Sequence, residues 1–518
     1  MTFDIAIVLS YFVIIMATGV YKKVTRKTSA EEFFLCSRSL RWPSVALSTI
    51  ATNIHSGHFL GMAGSAYLYG LAQANLEINA ITGILIATFF FVPLYMKERI
   101  TTISEFFENH LGRKVGMTYS VLMILLYSFV YIGSALFWGG YAVNAIFSSS
   151  IEFIHYDPMM RIFIIAVILG VFSALYTFLG GMGAVVRTDL IQFVILTGGG
   201  FILLMLSIQE LGGWGALYEK TGSLMHLHLP REHPYLPWPA LAGMFLLNLN
   251  YWGANQIILQ RALAAKNLFH AQIGLLVGGF LKYFMAAIII LPGIALAGIM
   301  MNNPLEDPDM TYPTLVNNLF PEGLKGLILC GLFASLMSSV DSIYHSVSTL
   351  WSIDIYKKYI NPNAEDHAVV NFGRATIFLT LITGILFAWV NVYVKFENPG
   401  FALTHWFNEV TYYVKNGFVF MIICAAFLIN PSKKLVFYVL LFSIVITAIL
   451  KGLLPEMNYF NRSTIVIILT SLMVAIPTWV TSGCQHSWKE LITVSDPKVG
   501  QLAIVLMLSL IACHILFH

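Results

Sequence analysis

Charge is scarce in this sequence. Asp, Glu, Lys and Arg make up 11% of its 518 residues, less than half of the roughly 25% usual in soluble domains. A soluble protein is not expected. Cysteine is sparse as well: Cys36, Cys330, Cys424, Cys484 and Cys513 lie far apart with no CxxC pair, so neither a disulfide framework nor a zinc site is expected. No long basic run is available to follow a nucleic-acid backbone, and 29 basic against 26 acidic residues leave a formal charge of only +3, which sets nucleic acid aside as a partner. Also missing are any low-complexity linker, any acidic pair at metal-binding spacing and any nucleophile beside an evident base. Residues 1–518 therefore read as a single domain and not as an enzyme.

What fills the sequence instead is apolar surface, with 58% hydrophobic residues. Membrane-crossing helices need roughly 20 apolar residues each, and the runs accommodate fourteen. They lie near 5–21, 44–69, 78–96, 117–147, 161–179, 185–207 and 239–260, then 272–300, 323–352, 372–394, 401–429, 434–451, 463–482 and 500–517. The first run has no Lys or Arg before it and ends in a basic cluster, the reverse of a secretory signal, so it is expected to be retained. The fold class is an all-α integral membrane protein of about fourteen transmembrane helices. Basic residues collect on the cytoplasmic side, and placing most of the 29 Lys and Arg there puts both termini outside the cell membrane.

Two spans carry material unsuited to an uninterrupted lipid-facing helix. The second holds Asn53, His55, Ser56, Gly57 and His58 in mid-run; the seventh holds Asn248, Asn250, Tyr251, Trp252 and Gly253. Polar and glycine residues at bilayer depth make sense where a helix unwinds and its freed backbone groups line a cavity. Two such breaks, five spans apart and opposite in direction, are what an inverted five-helix repeat produces, with a solute site near the midplane. Helix packing by small residues is the alternative; it accounts for Gly57 but not for the aromatic and imidazole cluster.

Ionisable residues inside apolar runs cost at least about 2.5 kcal/mol each unless solvated or paired. Lys282 lies about ten residues into the eighth span, some 15 Å deep at the helical rise, too deep for easy snorkelling. Asp189 falls early in the sixth span close to Arg187, where a surface ion pair competes with a functional role. Asp341 lies deep in the ninth span with Ser335, Ser338, Ser339 and Ser342 within about a turn on either side, and helical periodicity puts Ser335, Ser338, Asp341 and Ser342 on one face. Hydroxyl and carboxylate oxygens suit a hard cation such as sodium, although serines also bond back to their own helix. Glu77, at the start of the third span, fits a helix N-terminus by the macrodipole alone, and His58 is equally readable as a satisfied buried histidine.

The stretches NIHSGHFLGMAG, GGMGAVVRTDLIQ, YWGANQIILQRALAAKN, FLKYF with its LPG, and SLMSSVDSIYHSVSTLWSIDIY, in that order, resemble the sodium/solute symporter family, and within it the sodium/sugar cotransporter branch. The resemblance implies a leucine-transporter-like core, here 44–430, flanked by an extra N-terminal helix and inner loop (1–43) and peripheral C-terminal helices (431–518). It implies a sodium site from backbone oxygens of Ala51, Ile54 and Ser335 and hydroxyls of Ser338 and Ser339. A second sodium site, present in only some members, would use Asp189, Ser338, Asp341 and Ser342. Positions similar to the sugar branch's solute residues are Asn53, His58, Glu77, Asn248 and Lys282, with Tyr251 as inner gate, Trp252 beside it, and Asn408 where sugar members usually have a longer Gln. Leu76 and Ala80 replace bulkier or more polar pocket residues, and Asp341 replaces a non-acidic one.

The function expected from this is sodium-coupled symport of a sugar, polyol or sialic-acid-like solute. One rival is sodium-coupled transport of an amino acid or organic carboxylate held by Lys282, against which Glu77 argues. The other is a solute sensor or poorly coupled carrier.

Overall fold

The computed structural model describes residues 2–22, 25, 27–55, 57–148, 151–233, 236–321, 323–398, 403–482 and 492–518. Among them, regular structure is helical throughout, with only two isolated β-bridges. In chain order the principal helices are α1 (Thr2–Val20), α2 (Trp42–Asn53), α3 (Ala63–Tyr69), α4 (Ala80–Ile86), α5 (Ile132–Phe147), α6 (Pro158–Leu211), α7 (Ala240–Gly253) and α8 (Gln256–Leu263). They continue with α9 (Leu268–Ile299), α10 (Leu324–Thr349), α11 (Asp366–Glu397), α12 (Leu403–Phe427), α13 (Lys433–Leu453), α14 (Tyr459–Ser482) and α15 (Pro497–Leu516).

Eleven helices among the described residues are long and apolar enough to cross a membrane, against the fourteen runs read from hydropathy. The difference lies in interruptions. α2 has 12 residues and α7 has 14, about 18 and 21 Å of helix, short of a bilayer core of about 30 Å. Conversely, α6 spans 54 residues as two helical stretches joined at a kink, about 80 Å of helix, far longer than one crossing needs.

The length of α6 is resolved at Gly181. Its φ of 56° and ψ of −151° turn the chain inside the helix, between the two apolar runs that the sequence separates. A side chain there would be strained in that conformation, and its Cβ would sit 2.8 Å from the carbonyl oxygen of Phe33. Gly181→Ala is therefore expected to destabilise the protein by about 1–3 kcal/mol, read as a lower melting temperature in detergent; an unchanged melting temperature would show that this bend does not hold α6 in place.

The centre of the bundle is α10, whose residues are almost all buried and which packs most extensively against α6. α9 lies against α2. α1, α13, α14 and α15 keep broad apolar faces exposed, as helices bordered by lipid do. Close approach between α4 and α7 is set by Gly83, where a Cβ would fall 2.8 Å from both the Asn248 carbonyl oxygen and Trp252 Cδ1. That contact brings the segment carrying Glu77 onto the helix carrying Asn248, Tyr251 and Trp252.

Candidate functional site

The first break follows Asn53. Ile54 is extended, with φ −93° and ψ 107°, and the chain becomes helical again at a π turn, His58–Met62. Ser56 lies outside the described residues. Carbonyls freed at the end of α2 meet the serine face of α10. Ser338 Oγ donates to the Ala51 carbonyl at 2.8 Å, Ser339 Oγ to that of Thr52 at 3.1 Å, and Ser335 Oγ to that of Ile54 at 3.3 Å. The five residues read as a first sodium site thus converge, and a ring of carbonyl and hydroxyl oxygens is the donor set a hard alkali cation takes.

The second break falls later than the sequence reading placed it. Asn248, Tyr251, Trp252 and Gly253 all stay helical in α7, Ala254 ends the helix at φ −133° and ψ 7°, and the chain is extended at Asn255. Tyrosine hydroxyls supply the missing partners: Tyr95 donates to the Gly253 carbonyl at 2.5 Å and Tyr119 to that of Ala254. Asn255 caps α8 through the Ile257 amide, 3.0 Å away, and accepts the Tyr127 hydroxyl at 2.7 Å. Breaking a helix at bilayer depth requires such partners for its orphaned backbone groups; here Tyr95 and Tyr119 provide two of them, and Tyr127 holds the capping Asn255.

Between the breaks lies a cavity of about 910 Å³, within the range of small-molecule sites. Lys282, buried on α9, donates to Glu77 Oε2 at 2.6 Å and also to the Asn53 side-chain oxygen. His58 Nε2 stands 3.4 Å from Glu77 Oε1. The Asn53 amide donates to the Tyr251 hydroxyl at 2.7 Å, joining α2 to α7. The Trp252 ring centroid lies 5.7 Å from the Lys282 ammonium, and the Asn248 amide donates to the Asn79 carbonyl at 3.2 Å. Asn53, His58, Glu77, Asn248, Tyr251, Trp252 and Lys282 all line this cavity, as do Leu76 and Ala80. Asn408 belongs to α12, but its side chain lies outside the described residues.

The cavity reaches Ser339 at its inner end and Asp307, Asp309 and Lys395 at its mouth. Burial and the neighbouring Asp307 carboxylate push the Asp309 carboxyl above its usual range, against the pull of Lys395 at 3.7 Å.

Asp189 is fully buried and does not pair with Arg187, whose guanidinium donates to the carbonyls of Thr18 and Gly19 at 3.2 and 3.3 Å. Its partners are the Ser48 hydroxyl at 2.5 Å and Arg261 of α8 at 3.3 Å, both on Oδ2. Arg261 also bonds Ser342. Ser342 in turn donates to Asp341 Oδ1 at 3.1 Å, while Tyr176 donates to Asp341 Oδ2 at 2.7 Å. Asp189 and Asp341 are therefore linked through Arg261 and Ser342, and Asp189 Oδ1 is buried without a partner among the described residues.

Arg261 and Lys415 escaped the sequence reading, though both could have been found as charges within or beside apolar runs. Arg261 directly follows the apolar run 239–260. Lys415, in TYYVKNGFVF, lies midway along α12 and lines the cavity.

A model of the sodium:solute symporter family matches residues 33–434. The chain is 32% identical over 512 residues to the sodium/glucose cotransporter of Vibrio parahaemolyticus, covering 92% of this chain and 90% of that one. It is 31% identical over 466 residues to the sodium/myo-inositol cotransporter 2 of Mus musculus, covering 83% and 67%. Among solved structures it is similar to the substrate-bound outward-open state of a sodium-coupled sialic acid symporter, with a TM-score of 0.79, 18% identity, and coverage of 94% of this chain and 99% of that one. At that identity the likeness concerns the fold.

Proposed function

We propose, from the premise that this chain belongs to the sodium:solute symporter family, that it carries a sugar or other polyhydroxylated solute across the cell membrane together with sodium, by alternating access. The family comprises transporters, and the chain is a carrier and not an enzyme. The observation that carries the solute assignment is the buried Lys282, Glu77 and Asn53 cluster at the cavity wall. Sugar hydroxyls both donate and accept, so they can engage a carboxylate, an ammonium and an amide together. The relatives named for glucose and myo-inositol support the same class of solute.

The architecture belongs to this reading. With α2–α3 and α7–α8 each counted as one interrupted crossing and α6 as two, the chain crosses fourteen times with both termini outside. Residues 44–430 form the inverted-repeat core, and 431–518 pack around it. Asn53, His58, Glu77, Asn248, Lys282 and Asn408 bind the solute, while Tyr251, tied to Asn53, closes the inner side together with Trp252. Sodium binds where the α2 break meets Ser335, Ser338 and Ser339 of α10. Its occupancy favours the outward-facing arrangement by joining the broken helix to the central one, so that solute and ion stabilise a common state.

Asp189, Ser338, Asp341 and Ser342 hold a second sodium. Arg261 satisfies one oxygen of Asp189, and the unpartnered Oδ1 is the oxygen left for a cation. Asp189→Asn is expected to lower the sodium-to-solute ratio from two to one, measured as reversal potentials in proteoliposomes. A ratio identical in wild type and variant removes the second site.

Sodium-driven uptake of radiolabelled sugars, polyols and amino acids into proteoliposomes tests the solute class. Accumulation confined to polyhydroxylated compounds is the expected result, and an amino acid outcompeting every sugar would overturn the assignment.

A further inference from the structure

Among the cations lining the cavity, two have carboxylate partners within the protein: Lys282 with Glu77 at 2.6 Å and Lys395 with Asp309 at 3.7 Å. Lys415 has none. It lies half-buried near the middle of α12, as Lys282 does of α9, and among the described residues no acidic group or hydrogen-bond acceptor reaches its ammonium. The ammonium instead lies 5.1 Å from the Tyr412 ring centroid and 5.4 Å from that of Tyr131. The nearest acid in sequence, Glu409, is held elsewhere, by Arg462 at 2.5 Å and Lys451 at 2.6 Å.

An ammonium at bilayer depth calls for a counter-charge, and two aromatic faces offset that cost only in part. Because the Lys282 ammonium already compensates Glu77, the deep cavity carries one net positive charge, at Lys415. We propose, resting on the sugar-symport reading above, that Lys415 receives a carboxylate of the solute, so that the preferred cargo is an acidic sugar such as a uronic or aldonic acid. Tyr412 and Tyr131 hold the ammonium in place, while the hydroxyl-rich part of the solute meets Glu77, Lys282 and Asn53. Glu306, Asp307 and Asp309 make the mouth acidic, which draws sodium inward. Their repulsion of a monoanion is screened over about 8 Å at physiological salt.

The test uses the purified full-length protein in proteoliposomes, comparing glucose with glucuronate and galactose with galacturonate. Each acid should compete at least tenfold better than its neutral counterpart, the smaller end of the effect of one charged hydrogen bond. Lys415→Gln should raise the apparent constant of the acids at least tenfold and change that of the neutral sugars less than about twofold, whereas Lys415→Arg should retain the preference for acids. Transport current per solute supplies a readout that a merely structural lysine would not move: at equal sodium coupling, an acid carries one positive charge fewer than the neutral sugar.

Wild-type protein that accumulates neutral sugars as well as or better than acids overturns the inference and leaves the symport reading intact. Equal weakening of both solute types by Lys415→Gln also overturns it. So does neutral-sugar uptake that is lost when methanesulfonate replaces chloride, since the ammonium would then hold an inorganic anion. Absence of sodium-driven accumulation of either class overturns the symport reading itself.

Discussion

Replacing external sodium with choline should abolish solute accumulation, the largest effect expected of any single change. A tenfold sodium gradient contributes about 1.4 kcal/mol and a potential of 100 mV about 2.3 kcal/mol, together ~3.7 kcal/mol per ion. One ion then supports a limiting accumulation of about 500-fold, and two ions more than ~10⁵-fold. The oxygen set proposed to hold the ion is where Ser338 and Ser339 reach the Ala51 and Thr52 carbonyls at the end of α2. Ser339→Ala removes one hydroxyl from that ring while leaving the cluster at Lys282 unaltered. It should raise the sodium concentration needed for half-maximal uptake before it changes the rank order of solutes. Uptake that persists at full extent in choline or potassium would rule out sodium coupling. A Ser339→Ala carrier with normal sodium dependence but altered solute preference would relocate the ion site.

Lys282→Ala should weaken solute binding by two orders of magnitude or more. Lys282 is 1% exposed and Glu77 3%, so removing the ammonium strands a buried carboxylate with only the His58 imidazole, 3.4 Å away, beside it. Breaking such a pair costs about 3–5 kcal/mol, and the Asn53 oxygen loses its donor as well. Glu77→Gln keeps a hydrogen-bonding group opposite Lys282. It should cost less, about 1.5–3 kcal/mol, or roughly tenfold and upward in the apparent solute constant. The double variant should bind better than Lys282→Ala alone, because no isolated charge remains. Scintillation-proximity binding at saturating sodium, together with melting temperatures to separate binding from folding, reads these differences. Unchanged solute affinity in both single variants would remove the cluster from the site.

The membrane class, the positions of most helices and the serine face of α10 were legible in the sequence, since each rests on local order. Apolar runs mark crossings because a helix in lipid must satisfy its own backbone. Ser335, Ser338, Asp341 and Ser342 share a face through the helical period alone. Tertiary structure decided the rest. Glu77 and Lys282 meet across 205 residues, and Asp189 takes Arg261, 72 residues away, instead of the adjacent Arg187. The seventh-span break falls at Asn255, past Gly253, because Tyr95, Tyr119 and Tyr127 come from other helices to donate to the Gly253 and Ala254 carbonyls and the Asn255 side-chain oxygen. Lys415 is distinguished from the other two lysines of the cavity, Lys282 and Lys395, by the absence of a carboxylate around it among the described residues, a property of its packed neighbours. Hydropathy and periodicity record what a segment must do for itself, whereas the pairing of buried charges depends on which helices lie side by side, and no local pattern in the chain encodes that.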